Sequence, residues 1–322
     1  MSVRKALLIL TLALTCAALV RIIAPAAALH TVKSQSQARS HSTVPEPNAV
    51  MHRGDGASAN SMATPVTGKL PASAANVQLS TSMAWMFGSK EQHGWIIYAP
   101  LISRIVGTDS GIGSDDFARS VSKWQSSKGL PATGILDADT WSAMIRMLQS
   151  QRIKERDYPS ADQLVTVPAS EFWDTARPVE LRQVERNAYT AYTRMMAAAA
   201  ADPALRLQTS EGATLSQNER YLRIISAFRP REYQEQLRRQ SPHADRAGLA
   251  VNSPHFTGRA LDLYVGGEPV STKDDNRLLQ TRTPVYRWLV KNAAKYGFRP
   301  YFYEPWHWEY CAAEASPARS AR

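Results

Sequence analysis

The sequence predicts an α+β protein with a small helical module in front of it. Three observations carry this. Apolar residues recur at helical spacing over 117–125 and again over 141–148. A long helical pattern over 184–201 is followed by a β-rich run at 221–226. Residues 258–265 then alternate as a strand does, with Ala260, Asp262 and Tyr264 on one face and Leu261, Leu263 and Val265 on the other. The 322 residues allow two domains plus tails. Two cysteines, Cys16 and Cys311, exclude a disulfide-rich scaffold. A single apolar run longer than ten residues excludes a polytopic membrane protein. The formal net charge of +10 points to an anionic partner: nucleic acid, a membrane surface or a cell-wall polymer.

Residues 1–28 have the order of a secretory signal. Arg4 and Lys5 precede an apolar stretch at 6–20, and small-residue cleavage sites follow at Ala24-Pro25-Ala26 and Ala26-Ala27-Ala28. Arg21 interrupts the run before it reaches membrane-spanning length, which favours cleavage over an uncleaved membrane anchor. Cleavage removes Arg4, Lys5 and Arg21 and lowers the formal charge by three, from +10 to +7. It also removes Cys16 and leaves Cys311, expected to be a buried small hydrophobe, without a disulfide partner. Residues 29–80 read as a disordered tether. From 30 to 79 there is no Phe, Trp, Tyr or Ile to offset the entropy of ordering. Order is expected from about Ser82, since all eight Trp lie at position 85 or later.

Residues 81–152 form the expected helical module. Phe117, Val121, Trp124 and Gln125 give one helix an apolar face, with Asp115 and Asp116 at its start. Gly129-Leu130-Pro131 ends it. Asp137 or Asp139 caps a second helix bearing Trp141, Met144, Ile145 and Leu148. With Ala118, Lys128, Gly134, Leu136 and Thr140, these residues resemble the small helical peptidoglycan-binding domains. The stretch around 83–110 matches that pattern poorly.

The second domain spans 160–312, with a tail at 313–322. Its long helix carries Val184, Ala188, Ala191, Tyr192, Met195 and Met196 on one face. Tyr221–Ser226 is the expected strand, and 231–239 look helical. The chemistry sits in two segments. In Ser253-Pro254-His255-Phe256-Thr257-Gly258-Arg259-Ala260-Leu261-Asp262, a histidine precedes a chain-breaking glycine and a strand carrying an inward acid. Such an acid is costly to bury unless paired or metal-bound. In Glu304-Pro305-Trp306-His307, the proline disfavours helix at Glu304, so a turn presents Glu304 and His307 together. His255, Asp262 and His307 offer three N/O donors and leave the fourth tetrahedral position of Zn²⁺ open. Glu304 is then free to act as proton acceptor. Trp306 and Trp308 would exclude water. His243 is a rival ligand that no motif supports, and His30, His41 and His52 fall in the tether.

These motifs, with Ser226-Ala227-Phe228-Arg229 and Tyr296-Gly297-Phe298, resemble the zinc D-Ala-D-Ala peptidases of the VanY type over roughly 180–311. The resemblance implies a mostly antiparallel sheet with flanking helices, the Hedgehog/DD-peptidase-like fold. It implies zinc on His255, Asp262 and His307, Glu304 as general base and then acid, and Arg229 polarising the scissile carbonyl. Ser253 and Trp306 are expected to help bind substrate. The Gly-rich segment 266–275 departs from the pattern and is expected to rim the site. Residues 283–296 read as a helix, and the last hairpin near 298–303 reads as trimmed. The expectation is an exported peptidase of the periplasm or cell envelope acting on peptidoglycan stem peptides, most simply a D-Ala-D-Ala carboxypeptidase. An endopeptidase, or a non-catalytic wall-binding protein on a degenerate peptidase fold, are the alternatives. Nucleic-acid binding is disfavoured, because the basic residues are dispersed and the chain carries an export signal.

Overall fold

The computed structural model describes residues 70–210, 214–240 and 253–311. The expected signal at 1–28, most of the tether, Cys16, His30, His41, His52, His243 and the tail at 313–322 lie outside them. The described residues fall in one compact unit. As expected, the fold is α+β, with a helical module preceding an antiparallel sheet packed by helices.

The helical module begins earlier than the sequence suggests. α1 spans Ala72–Ser82, inside the segment expected as tether, so order does not begin at Ser82. The reason is a hydrogen bond pattern that apolar counting overlooks. Asn76 is fully buried, donates to the Gly134 carbonyl at 2.9 Å and accepts from the Leu136 amide at 2.7 Å. A buried amide with both ends satisfied secures a helix that carries few apolar side chains. A hairpin of β1 (Ala84–Phe87) and β2 (Lys90–His93) follows, then α2 (Ala99–Val106), α3 (Asp115–Ser127) and α4 (Ala138–Ser150). Ser114, not an aspartate, caps α3 by accepting from Phe117 N, while Asp115 and Asp116 occupy the first turn. Asp137 caps α4. The turn between α3 and α4 needs Gly134 at φ +70, since a Cβ there would stand 2.8 Å from the Ala118 carbonyl oxygen.

In the second domain β3 (Leu164–Thr166) pairs with β4 (Gln183–Glu185), and α5 (Arg186–Ala200) follows. Glu185 caps α5, so Val184, expected on the helix, belongs to the strand before it. The short strands β5 (Thr209–Ser210) and β6 (Thr214–Leu215) lead to β7 (Ile224–Ser226). That strand is shorter than the expected 221–226, because Leu222 adopts φ 68 and breaks the extended run. Then come α6 (Arg231–Gln240), a 3₁₀ turn (Pro254–Thr257), β8 (Ala260–Leu263), α7 (Asp274–Arg282), α8 (Pro284–Asn292), β9 (Phe298–Pro300) and β10 (His307–Tyr310). α8 stops before the expected 296, where a 3₁₀ turn (Ala293–Tyr296) takes over. The main sheet has the order β7-β8-β10-β9, antiparallel throughout.

Two cores fill the unit. α5 and α8 cover one sheet face with Ala191, Met195, Tyr286 and Leu289 against Leu261, Leu263, Val265 and Trp308. The other core is largely aromatic: Trp85, Trp95, Tyr98, Phe117, Trp124 and Trp141. The chain between β9 and β10 enters this second core, so the hairpin is not trimmed but spent on the helical module. Phe302 lies 5.0 Å from Phe87, 5.6 Å from Tyr98 and 5.9 Å from Trp141, ring centre to ring centre. α7 adds a polar clamp. Its buried Arg277 donates to the Tyr98 hydroxyl at 2.8 Å, the Tyr303 carbonyl at 3.2 Å and Asp274 at 2.6 Å. The Gly-rich segment at 266–275, expected to rim the site, is fastened to α7. Asn276 bonds Glu268 N and O and the Ser271 carbonyl, and Gln280 bonds the carbonyls of Gly266 and Glu268. Cys311 is only partly buried, contrary to expectation, with Sγ 3.5 Å from the Gln151 carbonyl.

Candidate metal centre

Strand register brings the first two ligands together. Asp262 on β8 stands opposite Ser226 on β7 and opposite His307 on β10. The loop into β8 supplies the second histidine. Pro254 opens the 3₁₀ turn, Ser253 accepts from His255 N at 3.3 Å, and Gly258 closes the turn at φ 67. A Cβ at Gly258 would press against the Glu185 amide at 3.0 Å, so the turn can sit this close to β4 only with glycine.

One donor atom each from His255, Asp262 and His307 lies within 4.8 Å of the other two, and all three residues are buried. Asp262 Oδ1 is the shared point: His255 Nε2 is 3.3 Å away and His307 Nδ1 2.9 Å away. The ring atoms that face outward are fixed by other groups. His255 Nδ1 is 2.8 Å from the Ala227 carbonyl, to which it can only donate, leaving the Nε2 lone pair on the site. His307 Nε2 donates to Glu309 Oε1 at 3.2 Å. Arg229, three residues past β7, donates through Nη2 to Asp262 Oδ2 at 2.7 Å and through Nε to Ser226 Oγ at 2.8 Å.

The electrostatics follow from burial and partners. Burial, helped by the Arg229 charge, lowers the His255 pKa to about 4. Burial also opposes charge on His307, but hydrogen bonds to Asp262 and Glu309 outweigh it and raise its pKa to about 9. Burial would raise Asp262, yet the two histidines and Arg229 hold it well below the usual carboxylate range. Glu304 is different. It is buried, its Oε2 is 4.0 Å from His307 Nδ1, and its Oε1 has no hydrogen-bond partner among the described residues. Burial raises its pKa to about 7.

The structure thus brings His255, Asp262, His307, Glu304 and Arg229 into one site. Ser253 caps the His255 turn from its edge. Trp306 is 3 % exposed and packs in the sheet-and-helix core, with its carbonyl accepting from Leu263 N. Its side chain therefore lies away from the surface a substrate would reach. Sequence reasoning missed Ala227, Glu309 and Arg152. Glu309 follows the E-x-W-H segment by two residues on the same strand, so its inward direction was readable from the period of two. Nothing local marks Arg152, 157 residues before it.

Residues 181–313 match the VanY family, D-alanyl-D-alanine carboxypeptidase. Residues 100–144 match the putative peptidoglycan binding domain. No curated protein matches the chain. The second domain is therefore a peptidase domain of the VanY family, and the helical module ahead of it is of the peptidoglycan-binding type. The two together make the chain a peptidoglycan-acting hydrolase.

Proposed function

We propose that the chain is an exported zinc carboxypeptidase that removes the terminal D-Ala from peptidoglycan stem peptides. The observation that carries this reading is a buried N/O/N donor set beside a buried carboxylate oxygen that has no hydrogen-bond partner among the described residues. The donor set fits zinc in number and chemistry, and His255, Asp262 and His307 would hold it. Zinc bound there supplies Lewis acidity and acidifies a water.

The remaining work belongs to the chain's own residues. Glu304 accepts the proton of the attacking water and returns it to the leaving amine, and its pKa of about 7 suits both transfers near neutrality. Arg229 lies one hydrogen bond from Asp262, so its guanidinium is placed to orient the scissile carbonyl and stabilise the developing oxyanion. Tyr301, Phe302 and Tyr303, just before Glu304, are anchored in the aromatic core, and Glu304 itself is buried. An unpartnered buried carboxylate costs stability, and a non-catalytic wall-binding protein has no use for one. No described helix is long and apolar enough to cross a membrane. An extracellular or envelope location is supported by the two wall-acting domains, and export itself by the signal-like residues 1–28.

Mass spectrometry of digested muropeptides tests the reading. Loss of a single D-Ala from pentapeptide stems, abolished by chelator and restored by zinc, is the expected result. Cleavage of internal bonds makes the chain an endopeptidase, and unchanged muropeptides make it a binding protein.

A further inference from the structure

The helical module reaches the metal centre through a continuous chain of contacts. Arg152 lies just beyond α4. Its Nε and Nη2 both donate to Glu309 Oε1, at 2.9 and 2.6 Å, and the neighbouring Ile153 amide donates to Glu309 Oε2 at 2.7 Å. Glu309 is completely buried, and its Oε1 is the atom that meets His307 Nε2. The same guanidinium lies 3.8 Å over the Tyr301 ring, and Tyr301 meets the His307 ring edge-on at 5.9 Å. Arg152 thus touches both groups that bracket the His307 imidazole. α4 holds Arg152 in place by burying Trp141, Met144 and Leu148 in the aromatic core.

We propose that Arg152 is a positioning residue for the metal centre: it holds Glu309 on His307 Nε2, so that the segment just past α4 completes the outer shell of the peptidase site. The physical reason is pre-organisation. A carboxylate on the far nitrogen of a metal-bound histidine fixes ring orientation and tautomer and raises ligand basicity. A completely buried carboxylate is held in place by its hydrogen bonds, and apart from the one from His307 those to Glu309 come from Arg152 and the Ile153 amide. His255 needs no such help, because a backbone carbonyl holds its Nδ1.

The inference rests on the zinc reading, and its test separates the two. Zinc affinity is measured by chelator competition on the full chain, with the visible spectrum of the cobalt-substituted protein as a report on ligand geometry. Thermal denaturation of the metal-free protein is followed in parallel. Arg152→Met is expected to weaken zinc binding by roughly 10–100-fold and to alter the cobalt spectrum, with Arg152→Lys recovering part of the loss. In a Glu309→Gln background, Arg152→Met is expected to cost little further affinity, because the group it positions is already changed. Unchanged affinity and spectrum in Arg152→Met, with only a lowered Tm, overturn the positioning role and leave the zinc reading intact. A wild-type chain that binds no zinc overturns both.

Discussion

The two histidines of the site are secured by different means. His255 depends on its own neighbourhood: Ser253 caps its turn, and a main-chain carbonyl takes its outer ring proton. His307 depends on side chains, first Glu309 two residues along and then Arg152 from the segment just past α4. A backbone anchor cannot be removed by substitution, whereas a carboxylate–guanidinium relay can be cut at either link. The His255 half of the centre is therefore built by the peptidase domain alone. The His307 half, which also carries Glu304, draws in addition on Arg152, 157 residues earlier in the chain.

The largest expected effect falls on the proton-transfer group of that second half. Glu304→Gln is expected to lower kcat by roughly 10²–10⁴-fold with zinc content unchanged, read from muropeptide turnover and metal analysis. Full activity in this variant sinks the proposed mechanism.

Next is the junction itself. Phe302→Ala removes a buried ring from among Trp85, Tyr98 and Trp141, and is expected to cost about 3–5 kcal/mol in urea denaturation. Wild-type unfolding is expected to be a single transition. Two separate transitions would show that the modules are energetically independent and would break the comparison.

Asn76→Ala leaves the Gly134 carbonyl and the Leu136 amide without their buried partner. It is expected to cost about 1–3 kcal/mol, with the loss appearing in the same transition. The smallest effect belongs to the His255 half. Ser253→Ala removes the cap of a short turn and is expected to cost about 0.5–2 kcal/mol. An unchanged KM assigns Ser253 to the turn alone, whereas a raised KM adds the substrate contact that the resemblance implies.

The donor set was readable in the sequence because its signals are local. The turn before Gly258, the period-two face of β8 and the proline after Glu304 each orient a side chain within a few residues of the feature that marks it. The supports were not readable, because they depend on pairings across the chain. Asn76 meets the turn before α4 only once α1 lies on α3, and Arg152 meets Glu309 only once the modules share a core. Composition misled at 70–80 for the same reason: it counts apolar area and is blind to a polar side chain whose hydrogen bonds are all met in the fold. Trp306 illustrates the opposite error. An aromatic beside a ligand reads as a substrate contact, yet period-two alternation in β10 already divides the faces that its neighbours take.

Phe302, threaded from the peptidase sheet into the helical module, bears on how such an enzyme addresses a polymer. A binding module on a slack linker raises the concentration of every target within its reach, in all directions alike. A module wedded through its own interior behaves as a fixed caliper. On the proposed function, the jaw that grips the wall and the jaw that cuts would then stand at one distance and one angle, so a stem would have to be correctly spaced along the strand, as well as chemically correct, to be cut.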